Sequence, residues 1–183
     1  LGLFTNANVL RPQAIAAGPD GNLWFTSHDS DRIGRITTSG TITTFTNANV
    51  DGPQDITAGP DGALWFTSLT NNRIGRITTA GAITTFANAT HVRGPLGITS
   101  GPDGALWYAN SSNSPLGRVS TGGAFSSLPG VSGATAVVAG PDGNLWVTEG
   151  NQHRLARVTP TGSVATFANV NLEFPQGITV GPD

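Results

Sequence analysis

Apolar and polar positions along this chain change over in short bursts rather than in helical steps. From Gln13 the run QAIAA is apolar, GPDG is a Pro/Gly turn, and NLWFTS is rich in aromatic and β-favouring residues. The polar stretch HDSD follows, then the alternating RIGRITT, and the turn SG leads into TITTFT. Alternation bounded by turn residues predicts four strands of about five residues each. No stretch carries a helical period.

The same text returns. GPDGNLWFTS at residues 18–27 reappears as GPDGALWFTS from Gly59, GPDGALWYAN from Gly101 and GPDGNLWVTE from Gly140, and a last GPD starts at Gly181. The spacings are 41, 42, 39 and 41 residues. Four strands in a period near 40 predict an all-β propeller of four-stranded antiparallel blades. The blades fall at about 12–52, 53–94, 95–133 and 134–174, with partial blades at 1–11 and 175–183.

Within a blade, GPDG links the innermost strand to the second. Pro presets φ, Asp can bond the backbone ahead, and Gly accepts positive φ. Trp24, Trp65, Trp107 and Trp146 then share one place on the second strand. A repeated Trp reads as packing between blades, with sugar stacking as the alternative. Arg35, Arg76, Arg118 and Arg157 recur in GRI, GRI, GRV and ARV, which reads as structural hydrogen bonding, with an anion-binding ring as the alternative.

Positions that repeat serve the blade; positions that vary are free to serve a ligand. One propeller face carries the four GPDG turns and TTSG, TTAG, STGG and TPTG, all much alike. The opposite face carries the loops into the first strands and the loops between strands two and three, and these differ from blade to blade. His28, His91 and His153 fall there, as do Glu149, Glu173, Asp29, Asp31, Asp51 and Asp55. Asp55 stands out because its equivalents are Ala14, Gly97, Ala136 and Gly177, and it is expected near the mouth of the central channel. The candidate ligand-binding set on this variable face is Gln13, His28, Gln54, Asp55, His91, Glu149, His153 and Gln176.

Composition narrows the partners. Net charge is −2, the nine basic residues are all Arg, and no basic run exists, which argues against nucleic acid. With no Cys, disulfides and thiolate metal sites are excluded. No apolar run is long enough to span a membrane as a helix. Low charge with much Thr, Ser, Asn and Gly leans toward an extracellular or secreted protein.

The blade text GPDGxLWFT…NRIGRIT…G.ITTF resembles the streptogramin B (virginiamycin B) lyases along nearly the whole chain. The resemblance implies a seven-bladed propeller that opens a cyclic depsipeptide by Mg²⁺-dependent elimination at its ester. It also implies a catalytic histidine after the proline that begins an inner strand. Here that place holds Gln13, Gln54, Leu96 and Gln176, and Thr135 in the fourth repeat. Gln cannot serve as general acid or base. The family's carboxylate four residues past the Trp falls on His28, Leu69, Ser111 and Gly150, and its glutamate before the proline falls on Phe174. No catalytic residue is therefore assigned, and no cofactor beyond Mg²⁺ in the lyase reading.

LGLFT at 1–5 matches the outer strand of a preceding blade, and GITV at 177–180 matches an inner strand. Joined, they lack two middle strands, so another copy of the chain or further blades of a longer chain are expected as partners, beside an unidentified ligand. Three function classes follow: a non-catalytic propeller binding a ligand, carbohydrate or protein; a lyase-like enzyme with its catalytic blades missing or altered; and a self-assembling structural repeat.

Overall fold

The computed structural model describes residues 4–111 and 113–181; Leu1–Leu3, Ser112, Pro182 and Asp183 lie outside it. It is built from four separate four-stranded antiparallel sheets, each ordered as its strands follow in sequence. Blade one holds β1 (Pro12–Ala17), β2 (Leu23–Ser27), β3 (Arg32–Ile36) and β4 (Ile42–Thr46). Blade two holds β5 (Pro53–Ala58), β6 (Leu64–Ser68), β7 (Arg73–Ile77) and β8 (Ile83–Ala87). Blade three runs β9 (Pro95–Ser100), β10 (Leu106–Asn110), β11 (Pro115–Val119) and β12 (Phe125–Ser132). Blade four runs β13 (Ala134–Ala139), β14 (Leu145–Glu149), β15 (Arg154–Val158) and β16 (Val164–Ala168). The inner strands β1, β5, β9 and β13 pack on one another in series. The sole helical pieces among the described residues are single 3-10 turns at His28–Ser30 and Gly150–Gln152, and no helix is long and apolar enough to cross a membrane.

The GPDG turn closes as its chemistry requires. Gly18 N donates to Asn22 O at 2.8 Å, and Gly21 takes φ +74°, a left-handed value that a side chain would resist. Asp20 then accepts from Trp24 Nε1 at 3.0 Å, as Asp61 does from Trp65 and Asp103 from Trp107 at the same distance. Each of these indoles is thus held by its own turn as well as by packing. Trp24 and Trp65 are fully buried and Trp107 nearly so, which leaves none of the three open for a sugar. Trp24 stacks on Phe45 and Trp65 on Phe86, both with ring centroids 5.4 Å apart.

The core lies between blades, not within them. Trp24 and Ile33 of blade one bury Ile56, Leu64, Phe66 and Ile77 of blade two and Val50 of the loop leading into it. Trp65 and Ile74 do the same for Ile98, Leu106, Tyr108 and Val119 of blade three and for Val92 of the loop leading into it. A sheet one blade thick has two apolar faces, so each must meet a neighbour. Blade one has no preceding neighbour among the described residues: Ile15 is 61% exposed where its equivalent Ile56 is 4% exposed.

The terminal segments behave differently from the strands their sequences suggest. Of LGLFT, Leu1–Leu3 lie outside the described residues; residues 4–11 form no strand, and a turn at 7–8 and a bend at Arg11 lead into β1, yet Phe4 packs over Gly40 as Phe45 packs over Gly81. Residues 177–180 form no strand either, and among the described residues no second strand pairs with them. They still run beside blade four, where Ile178, Thr179 and Val180 border Val138 and Trp146.

Candidate functional site

Each inner strand begins with a register break. The antiparallel pairing slips between Pro12 and Ile15 in blade one, between Pro53 and Ile56 in blade two, and between Ala134 and Ala136 in blade four. A bulge re-aims the residues it contains. Here it turns the residues after the proline into a shared cavity of about 360 Å³, lined by Gln13, Gln54, Asp55, Leu96, Thr135 and Gln176, with small residues between them. Four of the eight sequence candidates, Gln13, Gln54, Asp55 and Gln176, meet at this channel mouth.

The bulges are held by a threonine two residues past each Trp. Thr26 Oγ1 accepts from Ala14 N at 3.1 Å and donates to Gln54 O of the next blade at 3.2 Å. Thr67 Oγ1 accepts from Asp55 N at 3.0 Å and donates to Leu96 O at 2.6 Å. Thr148 Oγ1 accepts from Ala136 N at 2.9 Å and donates to Gln176 O at 3.3 Å. Gln176 therefore occupies the lining position of a fifth inner segment although no sheet forms around it. Blade three has Ala109 in this place and lacks the hydroxyl.

Asp55 brings the cavity's one carboxylate. Its Oδ1 accepts from Ile56 N and its Oδ2 from Ile98 N of the next blade, both at 2.8 Å. Burial pushes its pKa up, against the pull of those two N–H groups. No other lining residue ionises, and no ion pair involves Asp55 among the described residues.

The other four candidates lie elsewhere, each tied to its own surroundings. Glu149 is fully buried: its Oε1 accepts from Ser132 N at 2.8 Å, and its Oε2 takes Arg154 Nε at 2.7 Å. Ser27 and Ser68 do the same work in their blades, bonding Leu10 N and Asp51 N at 2.8 and 2.9 Å. Glu149 is thus a structural tie to the lead-in loop rather than a group displayed on the face. His153 Nδ1 accepts from Phe174 N at 3.3 Å, in the role that Asp31 plays for Gly52 N and Asn72 for Gly94 N. All three are left-handed, at φ 53–55°. His28 Nδ1 bonds Asp29 Oδ1 at 2.8 Å, and His91 Nδ1 meets Ser127 Oγ at 3.1 Å. The three histidines do not converge.

This donor set does not fit Mg²⁺. Among the described residues no group of three or more His, Cys, Asp or Glu side chains could hold a metal ion, and Asp55 already spends an oxygen on each of two backbone donors. Arg76 and Arg118 form no anion ring either: their Nε atoms bond Asp61 and Asp103 at 2.6 and 2.7 Å. Sequence reasoning passed over Thr135 and Leu96 as site residues. It also missed a polar groove of about 620 Å³ between blades two and three, bordered by Asn71, Asn72, Asn88, Arg93 and Ser114. Asn88 recurs as Asn6, Asn47 and Asn169 at the start of the lead-in loops, but the other polar border residues vary from blade to blade, so the repeat alone does not mark the groove.

The virginiamycin B lyase family matches residues 4–132. A catalytically inactive variant of virginiamycin B lyase from Staphylococcus aureus, solved with quinupristin, is 38% identical, with a TM-score of 0.85, over 92% of this chain and 59% of that one. A streptogramin B lyase is 37% identical, with a TM-score of 0.85, over 93% of this chain and 59% of that one. The chain therefore spans about three-fifths of the length of these lyases. A protein of the nidogen–laminin complex matches 94% of this chain and 70% of its own at 18% identity and a TM-score of 0.76, a likeness of fold alone. No curated protein matches the chain.

Proposed function

The chain belongs to the virginiamycin B lyase family, and from that premise we propose that it binds a polar, peptide-like ligand at the channel mouth without converting it. The observation that carries this reading is the convergence of Gln13, Gln54, Thr135 and Gln176 on one cavity from four of the five inner segments. Amide and hydroxyl side chains both donate and accept, which suits the N–H and C=O groups of a peptide. None of these four moves a proton at neutral pH, and Asp55, the cavity's one ionisable side chain, holds a backbone N–H on each oxygen, so the reading is one of recognition. The quinupristin held by the inactive relative supports a cyclic peptide as the ligand class.

A lyase-like activity is the second reading, favoured by the 38% identity to an enzyme whose own chain is longer. The deciding experiment incubates the chain with quinupristin and Mg²⁺, following binding by calorimetry and ring opening by chromatography. Binding without ring opening supports the first reading. Turnover abolished by a chelator replaces it with the second, and no binding at all removes both.

The reading extends to the open end of blade one. Ile15 and Leu23 are 61% and 45% exposed, while their equivalents Ile56 and Leu64 are buried by Trp24 and its neighbours. A blade face of that same chemistry, from a second copy of the chain or from further blades, is the partner this surface suits.

A further inference from the structure

The geometry points to a ligand with an organic ammonium group, seated against Asp55 at the channel mouth. This rests on the reading of that cavity as the binding site and adds the charge of what enters it. Comparison between blades singles Asp55 out first. Four inner segments place Ala14, Gly97, Ala136 and Gly177 at its position, so neither the bulge nor the contact between inner strands requires a carboxylate. The inner strands of blades one, three and four are built without one.

Electrostatics gives the second reason. Asp55 is the only ionisable group lining the cavity, and no Arg or His pairs with it among the described residues. Its two backbone donors, Ile56 N and Ile98 N, supply dipoles but no neutralising charge. The surrounding glutamines and Thr135 carry none either. A half-buried carboxylate without a counter-ion is costly, and a cation entering the cavity relieves that cost. Burial raises the Asp55 pKa, as it does where a charge lacks its partner.

Shape gives the third. With one lone pair on each oxygen already used, the carboxylate suits a diffuse ammonium charge better than a chelated metal ion. Leu96, Ala14 and Ala136 supply apolar wall for the carbon substituents of such a group, and the glutamines remain for the ligand's polar parts. A cavity of about 360 Å³ holds a headgroup of choline size with room to spare.

The test uses two isosteres, choline and 3,3-dimethylbutan-1-ol, which differ in a quaternary nitrogen against a quaternary carbon. Each is titrated into the ¹⁵N-labelled chain while the side-chain amide signals of Gln13, Gln54 and Gln176 are followed. Choline is expected to bind at least about ten-fold more tightly than the neutral alcohol. Asp55→Asn, which removes the charge at constant size, and Asp55→Ala, the residue blades one and four already hold, are both expected to erase that preference. Equal response to the two probes overturns the cation inference and leaves the site reading standing. No response of the amides to either probe overturns the cation inference, while the site reading is decided separately by the quinupristin titration. A preference that survives in a folded Asp55→Asn or Asp55→Ala chain also overturns it, because the carboxylate then does not select the ligand.

Discussion

Thr67 Oγ1 donates to the carbonyl of Leu96 across the boundary between blades two and three, at 2.6 Å. The same hydroxyl accepts from Asp55 N at 3.0 Å, so one atom holds a bulge in its own blade and the backbone of the next. Thr67→Val keeps the shape and strands both backbone groups in a buried place. A loss of about 1–3 kcal/mol is expected in urea unfolding, with no comparable loss for a Thr→Val change at the exposed Thr84. A loss below about 0.5 kcal/mol, the scale of an ordinary surface substitution, would mean that water replaces the hydroxyl.

Trp65 is fully buried beneath Phe86, while Trp146 at the end of the array is half-buried. Trp65→Ala should cost about 3–5 kcal/mol. Trp146→Ala should cost clearly less, since less of its surface leaves water on folding. Equal losses in paired denaturation curves would show that the blade-four face is covered in solution as the blade-two face is.

Two carboxylates with opposite shifts give opposite pH responses. Burial would raise Asp61, but hydrogen bonds from Trp65 and Arg76 outweigh it and hold the carboxyl below its ordinary 3.8. Its stabilisation is present above 3.8 and is lost as pH falls through the lower folded value. Asp55 is raised, so its ionisation costs stability as pH climbs from 3.8 through the folded value. Urea midpoints measured across pH should therefore show Asp61→Asn flattening the acid limb. Asp55→Ala should gain on the unmutated chain as pH rises toward neutrality. The reverse trends would contradict the assigned causes.

His153 fills a place that Asn72 fills one repeat pair earlier, with the same left-handed backbone and the same bond to the next lead-in loop. His153→Asn should leave the melting temperature close to its starting value, whereas His153→Ala should lower it by the loss of the acceptor and of an Asn-type left-handed residue. If Asn proves as damaging as Ala, the imidazole has a role that Phe174 N does not account for.

The exposed Ile15–Leu23 face leads to an expectation for solution behaviour. About 25 cal/mol is gained per Å² of apolar surface covered, so the 18.7 kDa chain should associate as its concentration rises. Ile15→Glu should weaken that association without unfolding the blade, because Ile15 is 61% exposed. Sedimentation as one compact monomer at all micromolar concentrations would show that the face needs no partner.

Much of the architecture was legible from residue order because each blade is specified by neighbours in sequence. GPDG, the Trp after it, and the alternating strands act over a few residues, and repetition then states the period near 40 four times over. The equivalence of Gln13, Gln54 and Gln176 followed from the same periodicity, since every inner strand opens alike, whereas their meeting in one cavity is a matter of the fold. What residue order left undecided depends on contacts between blades. Glu149 looks like a displayed acid in sequence, and only its pairing with Arg154 and Ser132 N in the folded chain makes it a buried tie. Asn22 and Ala63 differ by one side chain, yet Asn22 Nδ2 takes Asp20 Oδ2 at 2.8 Å and leaves Arg35 Nε buried without a partner, while Asp61 keeps Arg76. Asp55 reaches Ile98 N, 43 residues away, and among the described residues no neighbouring blade brings a cation to it. Local chemistry repeats along a chain and can be read there; competition for one oxygen or one N–H is settled only when distant segments arrive together.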